Sequence, residues 1–175
     1  MKLDEVDRSN TRPTTDRNKE TLFNILGQYF SGGEALDLFA GSGALGIEAL
    51  SRGMDRCTFV DSGSGAAKTI RNNTDKLKVK AQAVIIRQDV LAYLGQVKGQ
   101  IFELILIDPP YKFSEYDPLM DLIDRFELLD KLGTLVIETE KTTNLQQSYG
   151  KLTRIKEKIS GITKFSFYQN KEEER

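Results

Sequence analysis

The sequence contains no histidine, no tryptophan and a single cysteine. The absence of histidine excludes imidazole-based catalytic triads, histidine metal ligands and acid–base steps that use an imidazole. A single cysteine also excludes a disulfide within the chain. Any chemistry must therefore use carboxylates, lysine side chains, backbone groups and a bound cofactor.

Long apolar runs and an excess of positive charge are also lacking. No stretch approaches the ~20 apolar residues of a membrane span, and the N-terminus has no apolar region typical of a signal peptide. The net charge is −1, whereas proteins that bind nucleic acids usually have a basic face. We expect a cytoplasmic protein with a flexible segment over residues 1–15, one domain over 16–169 and a polar tail over 170–175.

The most informative stretch is residues 104–111, LILIDPPY. Its apolar first half predicts a buried parallel strand, which must end at Asp108 because Pro109 and Pro110 have no N–H to donate to a neighbouring strand. Each proline also fixes its own φ, so the carbonyl oxygens that precede Tyr111 have little freedom. The turn combines fixed hydrogen-bond acceptors with a flat ring, which suits a planar substrate that carries an exocyclic amino group.

A second informative stretch, residues 35–46 (ALDLFAGSGALG), predicts a strand, a glycine-rich turn and the start of a helix. Gly41 and Gly43 let the backbone approach a ligand, and the helix N-terminus beyond them offers unpaired N–H groups. The turn also matches the pattern G-x-G-x-x-G, and Asp61 follows at about the 20-residue offset of a ribose-binding acid. These features alone indicate a dinucleotide.

Asp37 favours a different cofactor. Its carboxylate lies at the end of the first predicted strand, where it would repel a pyrophosphate or attract an amine. S-adenosylmethionine carries an amine and a ribose but no phosphate, so it matches Asp37, the glycine turn and Asp61 better than a dinucleotide does. A nicotinamide-dependent oxidoreductase stays open as an alternative, although it leaves residues 108–111 without a role.

The motifs DLFAGSG and DPPY resemble those of S-adenosylmethionine-dependent methyltransferases that act on exocyclic amino groups of nucleobases. Residues 11–17 (TRPTTDR), followed by 20–26 (ETLFNIL), resemble more specifically the bacterial 16S ribosomal RNA guanine-N2 methyltransferase family. Residues 161–164 (GITK) are similar to the final hairpin of that family. The resemblance covers residues 11–168 in matching order. Family members usually carry a basic strand pair before this region, and only ten residues precede Thr11 here.

The resemblance implies methylation of the N2 amine of a guanine in 16S rRNA, within the 30S subunit or an assembly intermediate, with no need for a metal or a membrane. It assigns residues to three groups. The catalytic residues are Asp108, Pro109, Pro110 and Tyr111. The cofactor-binding residues, for S-adenosylmethionine, are Asp37, Phe39, Gly41, Ser42, Gly43, Asp61 and Asp89. The substrate-binding residues are Arg12, Thr14 and Arg17.

The expected chemistry begins with the lone pair of the guanine N2 amine, which is delocalised into the ring and is a poor nucleophile. If the Asp108 carboxylate and the Pro109 carbonyl accept the two N–H bonds, the nitrogen can pyramidalise and attack a methyl group in line. The carboxylate then receives the proton or passes it to water. Tyr111 stacks on a base that has been turned out of its helix.

Strand-like and helix-like segments alternate along the chain, which predicts an α/β protein with a doubly wound, Rossmann-like, mostly parallel sheet. An amphipathic helix over 17–30 comes first, and an antiparallel hairpin over 152–168 with Gly161 at its turn comes last. Ligands bind such sheets where the strand order reverses, so the loops after the first and fourth strands should meet. The predicted strands are 34–39, 57–61, 82–87, 102–108 and 132–138, and the predicted helices between them are 44–51, 65–77, 90–96 and 116–127.

Several assignments have a simpler structural alternative. Asp108 can cap a turn, and Tyr111 can pack on Lys112 as a surface aromatic. Asp61 is a common residue at a strand end, and Asp89 can cap the helix that follows it. For the whole chain, a non-catalytic ribosome-assembly factor that retains the fold is a further alternative, which the intact DPPY motif disfavours.

Overall fold

The computed structural model describes residues 3–4 and 16–172, and within these ranges eight strands form one sheet with five α-helices packed on it. The strands are β1 (Glu34–Leu38), β2 (Arg56–Asp61), β3 (Ala83–Arg87), β4 (Phe102–Ile107), β5 (Leu129–Glu140), β6 (Ser148–Tyr149), β7 (Leu152–Ser160) and β8 (Thr163–Asn170). The helices are α1 (Asp16–Leu26), α2 (Ala44–Ser51), α3 (Ser64–Lys76), α4 (Val90–Gln96) and α5 (Tyr116–Arg125), and a short 3₁₀ helix at Lys80–Gln82 precedes β3.

The strand order is β3-β2-β1-β4-β5-β8-β7-β6. The first five strands of the chain pair in parallel, and β8 pairs antiparallel with both β5 and β7. The predicted doubly wound sheet with a C-terminal antiparallel hairpin is confirmed. The order reverses between β1 and β4, where Leu38 lies opposite Ile107. The loops that follow these two strands therefore begin side by side.

Hydrophobic side chains cover both faces of the sheet, and β4 shows how the two layers divide. Ile105 and Ile107 pack into the cluster that includes α4 and α5. Leu104 and Leu106, on the opposite face, pack into the cluster that includes α1, α2 and α3. All four side chains are buried. An unbroken apolar run is what a parallel strand covered on both faces requires, since successive side chains alternate between the faces.

Helix α1 is shorter than its apolar spacing predicts, because it ends at Leu26 and not at residue 30. Gly27 leaves the helix with a φ of +121°, while its N–H still donates to the Phe23 carbonyl at 2.9 Å. Tyr29, which the spacing placed on the helix, is 83% exposed.

Toward the C-terminus, the bounds of several strands also differ from the predicted ones, because the periodicity of the sequence does not reveal how strands pair. β5 begins at Leu129 instead of residue 132, because Leu129 pairs with Phe102 across a register shift in β4. Asn170, which we expected to begin a polar tail, closes β8, and its side-chain amide donates to the Leu129 carbonyl at 3.0 Å. The two-residue strand β6 is too short for alternation to indicate it.

Candidate active site

Three residues of the turn after β1 have left-handed backbone conformations: Phe39 (φ 61°), Gly41 (φ 58°) and Gly43 (φ 83°). Glycine adopts this conformation readily, whereas a bulky residue such as Phe39 does so at a cost of about 1–3 kcal/mol. The Gly43 N–H closes the turn by donating to the Ala40 carbonyl at 2.8 Å. The strained Phe39 marks this turn as a candidate functional segment, because such strain persists where the surrounding structure imposes it.

Asp61, at the end of β2, holds the glycine turn from one side. The Gly41 N–H donates to its Oδ2 at 2.9 Å, and the Gly63 N–H donates to its Oδ1 at 2.8 Å. The residue is only 6% exposed. These two hydrogen bonds fix the orientation of the carboxylate. Asp61 therefore has a structural role at the end of its strand, and it is also a fixed hydrogen-bond acceptor beside the glycine turn.

Asp37 holds the other side of the turn and is 1% exposed. Its Oδ2 accepts the N–H of Gly46 in the first turn of α2 at 3.0 Å. This N–H is one of the helix-terminal donors that lack a partner within the helix, and a negative charge there is favourable. The carboxylate therefore occupies the helix end at which a dinucleotide-binding protein would place its pyrophosphate.

Packing against the core requires glycine at position 46, whereas the positive φ of 83° favours glycine at position 43. A Cβ on Gly46 would lie 2.4 Å from Phe59 Cε1, and a Cβ on Gly43 would lie 3.3 Å from the same atom and from Ile70 Cγ1. A side chain on Gly43 would point toward these core residues, and the expectation that this glycine lets the backbone approach a ligand stays a prediction. Its backbone N–H and positive φ remain what shapes the turn.

Asn73, a residue that sequence reasoning missed, connects the glycine turn to the N-terminal part of the chain. Its side-chain amide donates to the Ser42 carbonyl at 2.9 Å and to the Asp4 carbonyl at 3.2 Å, and its Oδ1 accepts the Asp4 N–H at 2.9 Å. Asn73 is fully buried in α3. A signal was present, since an asparagine three residues after Ile70 falls on the apolar stripe of the predicted helix.

Asp89 caps helix α4, because its Oδ2 accepts the Ala92 N–H at 3.1 Å. This is the structural alternative that the sequence suggested for this residue. The side chain is exposed at the carboxyl end of β3, on the same sheet edge as the glycine turn. Its predicted contact with the cofactor stays a prediction.

The acidic-proline turn, residues 108–111, leaves the sheet directly beside the glycine turn. β4 ends at Ile107, and the Asp108 N–H donates to the Leu38 carbonyl at the end of β1 at 3.4 Å. The Pro110 carbonyl accepts the Phe113 N–H at 3.0 Å, which closes the turn. Tyr111 is 44% exposed at this turn. Pro109 is buried, whereas Asp108 and Pro110 are half-buried.

Aromatic contacts join the two turns. The rings of Phe39 and Phe113 meet at 5.0 Å between centroids and an angle of 62°, and those of Phe113 and Tyr116 meet at 5.1 Å and 88°. Each edge-to-face pair contributes about 0.5–1.5 kcal/mol beyond the area it buries. Phe113 and Tyr116 were not predicted for the site, although both closely follow DPPY in the sequence.

A cavity of about 190 Å³ opens next to the acidic-proline turn. It lies at the carboxyl ends of β4 and β5, the edge at which ligands bind in this class of sheet. The described residues that line it are Pro110, Tyr111, Phe113, Ser114, Tyr116, Glu140 and Thr143.

The far wall of this cavity is fixed by the C-terminal hairpin. Lys164 on β8 is 6% exposed and its ammonium group donates to the Thr143 carbonyl. The Lys141 N–H donates to the Ile162 carbonyl at 2.8 Å, so the segment after β5 is held at two points. The GITK sequence, residues 161–164, thus supplies the contacts that shape the cavity wall.

Of the three predicted substrate-binding residues, Arg12 and Thr14 lie outside the described residues. Arg17 is exposed in the first turn of α1. The next residue, Asn18, places this helix end against the hairpin, because its Oδ1 accepts the Ser160 hydroxyl at 3.2 Å. An exposed arginine is therefore carried by the helix end that contacts the hairpin.

Within residues 3–4 and 16–172, three or more cysteine, aspartate or glutamate side chains do not come together in a way that could hold a metal ion. Across the same residues, none of the helices is long and apolar enough to cross a membrane.

The fold is that of the Rossmann-like methyltransferases, to which its structural neighbours belong. Residues 1–169 match the model of the family described as conserved hypothetical protein 95. The ribosomal RNA small subunit methyltransferase D of Haemophilus influenzae is 38% identical over 171 residues, which cover 97% of this chain and 88% of that protein.

The corresponding methyltransferase D of Escherichia coli is 31% identical over 168 residues, which cover 96% of this chain and 84% of that protein. A solved structure of a conserved hypothetical protein from Streptococcus pyogenes has a TM-score of 0.83 and 35% identity, and covers 87% of this chain and 95% of that one. The chain therefore belongs to the family of the small subunit ribosomal RNA methyltransferases D.

Proposed function

We propose that this protein transfers a methyl group from S-adenosylmethionine to the exocyclic N2 amine of a guanine in 16S rRNA of the small ribosomal subunit. One observation carries the proposal: the glycine turn and the acidic-proline turn leave adjacent strands side by side, tied by the bond from the Asp108 N–H to the Leu38 carbonyl. A cofactor site and an amine-binding turn are thereby neighbours, as methyl transfer between two ligands requires. A substrate of this kind places the protein in the cytoplasm.

The residues of the glycine turn fit S-adenosylmethionine better than a dinucleotide. Asp61 is a carboxylate with a fixed orientation beside the turn, which suits the hydroxyls of a ribose. Asp37 bonds the Gly46 N–H, so negative charge already occupies the helix end that would otherwise attract a pyrophosphate. Phe39, Ser42 and the two turn glycines complete the proposed site, with Asp89 on the same sheet edge. When bound, this cofactor supplies an electrophilic methyl group.

The acidic-proline turn supplies the acceptor chemistry. The Asp108 carboxylate and the Pro109 carbonyl accept the two N–H bonds of the guanine amine, which draws its lone pair out of the ring and onto nitrogen. As nitrogen gains its fourth bond it must lose a proton, and Asp108 accepts this proton or passes it to water. Pro110 fixes the turn, and Tyr111 provides an exposed ring on which the base can stack.

The substrate follows from the family relatives, which are named ribosomal RNA small subunit methyltransferases. A guanine amine within a paired helix is inaccessible, so the base must be in a loop or be turned out of its helix. Arg12, Thr14 and Arg17 are the residues that we assign to RNA contacts. Arginine is suited to this role because its guanidinium group binds phosphate oxygens with two hydrogen bonds.

The test is to incubate the protein with labelled S-adenosylmethionine and 30S subunits that have not been methylated, and to locate the label by mass spectrometry. The expected product is one N2-methylguanine in 16S rRNA. Label on an adenine amine or on a ribosomal protein would contradict the proposal. Tight binding of 30S subunits without any transfer would indicate an assembly factor, and tighter binding of NADH than of S-adenosylhomocysteine would indicate an oxidoreductase.

A further inference from the structure

The cavity beside the acidic-proline turn carries a single formal charge on its described lining. Tyr111, Phe113 and Tyr116 contribute aromatic rings, and Glu140 contributes a carboxylate. The remaining lining residues, Pro110, Ser114 and Thr143, are uncharged. A concave site with aromatic walls and one charged acceptor suits a nucleobase that stacks on the rings and is read along one edge.

The backbone of Glu140 is held in place while its side chain is exposed. Glu140 is the last residue of β5, opposite Thr163 on β8, and its carbonyl accepts the Thr143 N–H at 3.0 Å. Lys164 holds the Thr143 carbonyl from the other side. Glu140 takes part in none of the ion pairs found among the described residues. A rigid strand end thus presents an accessible carboxylate to the cavity.

The order of groups on the guanine edge gives this carboxylate a specific partner. When the N2 amine is held by Asp108 and Pro109, the next group along the Watson–Crick edge is N1, which carries a hydrogen in guanine. An ionised carboxylate only accepts hydrogen bonds, so it binds an N1–H and repels a ring nitrogen that presents a lone pair. Adenine and 2-aminopurine both present a lone pair at N1, although 2-aminopurine keeps the amine that is methylated.

We propose that Glu140 is the residue that selects guanine, by accepting its N1–H in the cavity lined by Tyr111, Phe113 and Tyr116. This inference rests on the proposed function, since it concerns the base whose N2 amine is the methyl acceptor. In this proposal, the acidic-proline turn after β4 holds the amine, and a residue on β5 determines which base is accepted.

The test uses 16S RNA with a single 2-aminopurine at the methylated position, reassembled into 30S particles, beside the same particles with guanine there. The quantity measured is the ratio of kcat/KM for guanine to kcat/KM for 2-aminopurine. Wild-type protein should prefer guanine by at least about tenfold, the discrimination that one good base contact provides. In Glu140→Gln the ratio should fall by at least about tenfold, because the amide can donate an N–H to the N1 lone pair of 2-aminopurine.

Two further variants separate recognition from a structural role. Glu140→Ala should slow the guanine reaction without speeding the 2-aminopurine reaction, because it removes the acceptor and adds no donor. Glu127→Gln is the matched control, since this exposed glutamate pairs with Lys151 at 3.6 Å and is absent from the cavity lining. Its ratio should equal that of the wild type. Thermal unfolding of all three variants checks that each is folded.

The outcomes distinguish this inference from the proposed function. If wild-type protein methylates no guanine amine in 30S particles, the proposed function fails. If the wild-type protein does methylate a guanine amine, but Glu140→Gln keeps the wild-type ratio or slows both substrates equally, the assignment of Glu140 is overturned. A ratio that falls in Glu140→Gln and stays unchanged in Glu127→Gln supports it.

Discussion

At the scale of single residues, two buried carboxylates fix the glycine turn from opposite sides. Asp61 accepts the N–H groups of Gly41 and Gly63, and Asp37 accepts the N–H of Gly46. Burying a carboxylate is costly unless hydrogen bonds compensate for lost hydration, and backbone N–H donors provide that compensation. Both aspartates therefore stabilise the turn in addition to any contact with a cofactor, so their substitution would affect folding and binding together.

Asp108 permits a cleaner separation of chemistry from cofactor binding. Asp108→Ala removes the acceptor for the guanine amine, and we expect methyl transfer to fall by at least about 100-fold, the usual contribution of a positioned proton acceptor. Affinity for S-adenosylhomocysteine should change little, because the residues that we propose bind the cofactor lie on other loops. Single-turnover transfer and calorimetry measure the two quantities. The control is Asp121→Ala, at an exposed position on α5. Equal loss of transfer and affinity would make Asp108 a structural residue.

Gly46 is closely packed and Gly95 is not, so replacing each glycine by alanine should change the stability of the protein in opposite directions. In Gly46→Ala the new Cβ would lie 2.4 Å from Phe59 Cε1, and overpacking of this kind costs about 1–3 kcal/mol. The matched control is Gly95→Ala in α4, where the added Cβ would meet no described atom within 4 Å apart from its chain neighbours and the backbone of its own helix. It should stabilise the protein by about 0.4–1 kcal/mol, because alanine favours helix. Unfolding in urea measures both changes in the free energy of unfolding. Equal changes in the two variants would show that close packing does not constrain Gly46.

At the scale of secondary-structure elements, the place of the candidate site could be predicted from where the parallel strands end. The sequence predicts that β1 and β4 flank the switch point, and this rests on the alternation of strands and helices. What periodicity cannot predict is the contact between side chains from distant elements. Phe39 meets Phe113, and Asn73 meets Ser42 and Asp4, only because the folded sheet brings α3 and two loops together. These contacts depend on tertiary placement rather than local pattern.

The hydrogen bond from Asn73 to Ser42 predicts that helix α3 helps to position the glycine turn. Asn73→Ala removes the hydrogen bonds to the Ser42 carbonyl and to both backbone groups of Asp4, and each such bond contributes about 0.5–1.5 kcal/mol to stability. We expect lower stability in urea and weaker binding of S-adenosylhomocysteine. The neighbouring exposed Asn72→Ala is the control in the same helix. If both variants match the wild type in calorimetry, Asn73 does not position the turn.

At the scale of the whole molecule, the charge balance bears on how the substrate is recognised. The chain has 25 basic and 26 acidic residues, so phosphate attraction is not supplied by a general positive charge. Phosphate contacts provide most of the non-specific affinity for nucleic acids. If the proposed function holds, selection of the target base depends more on the cavity and on the local shape of the RNA than on long-range attraction.

This balance predicts that the protein prefers a particle to free RNA. Each phosphate contact that is missing lowers both the affinity for RNA and its salt dependence, so protein-free 16S RNA should be held weakly. We expect ribosomal proteins to hold the loop that carries the target guanine in an exposed conformation, which would lower the cost of presenting the base. We expect guanine methylation to be at least about tenfold faster on 30S subunits, or on a protein-bearing assembly intermediate, than on the same RNA stripped of protein. Initial rates at matched salt measure this difference. Equal rates on both substrates would mean that a local basic surface compensates for the near-zero net charge.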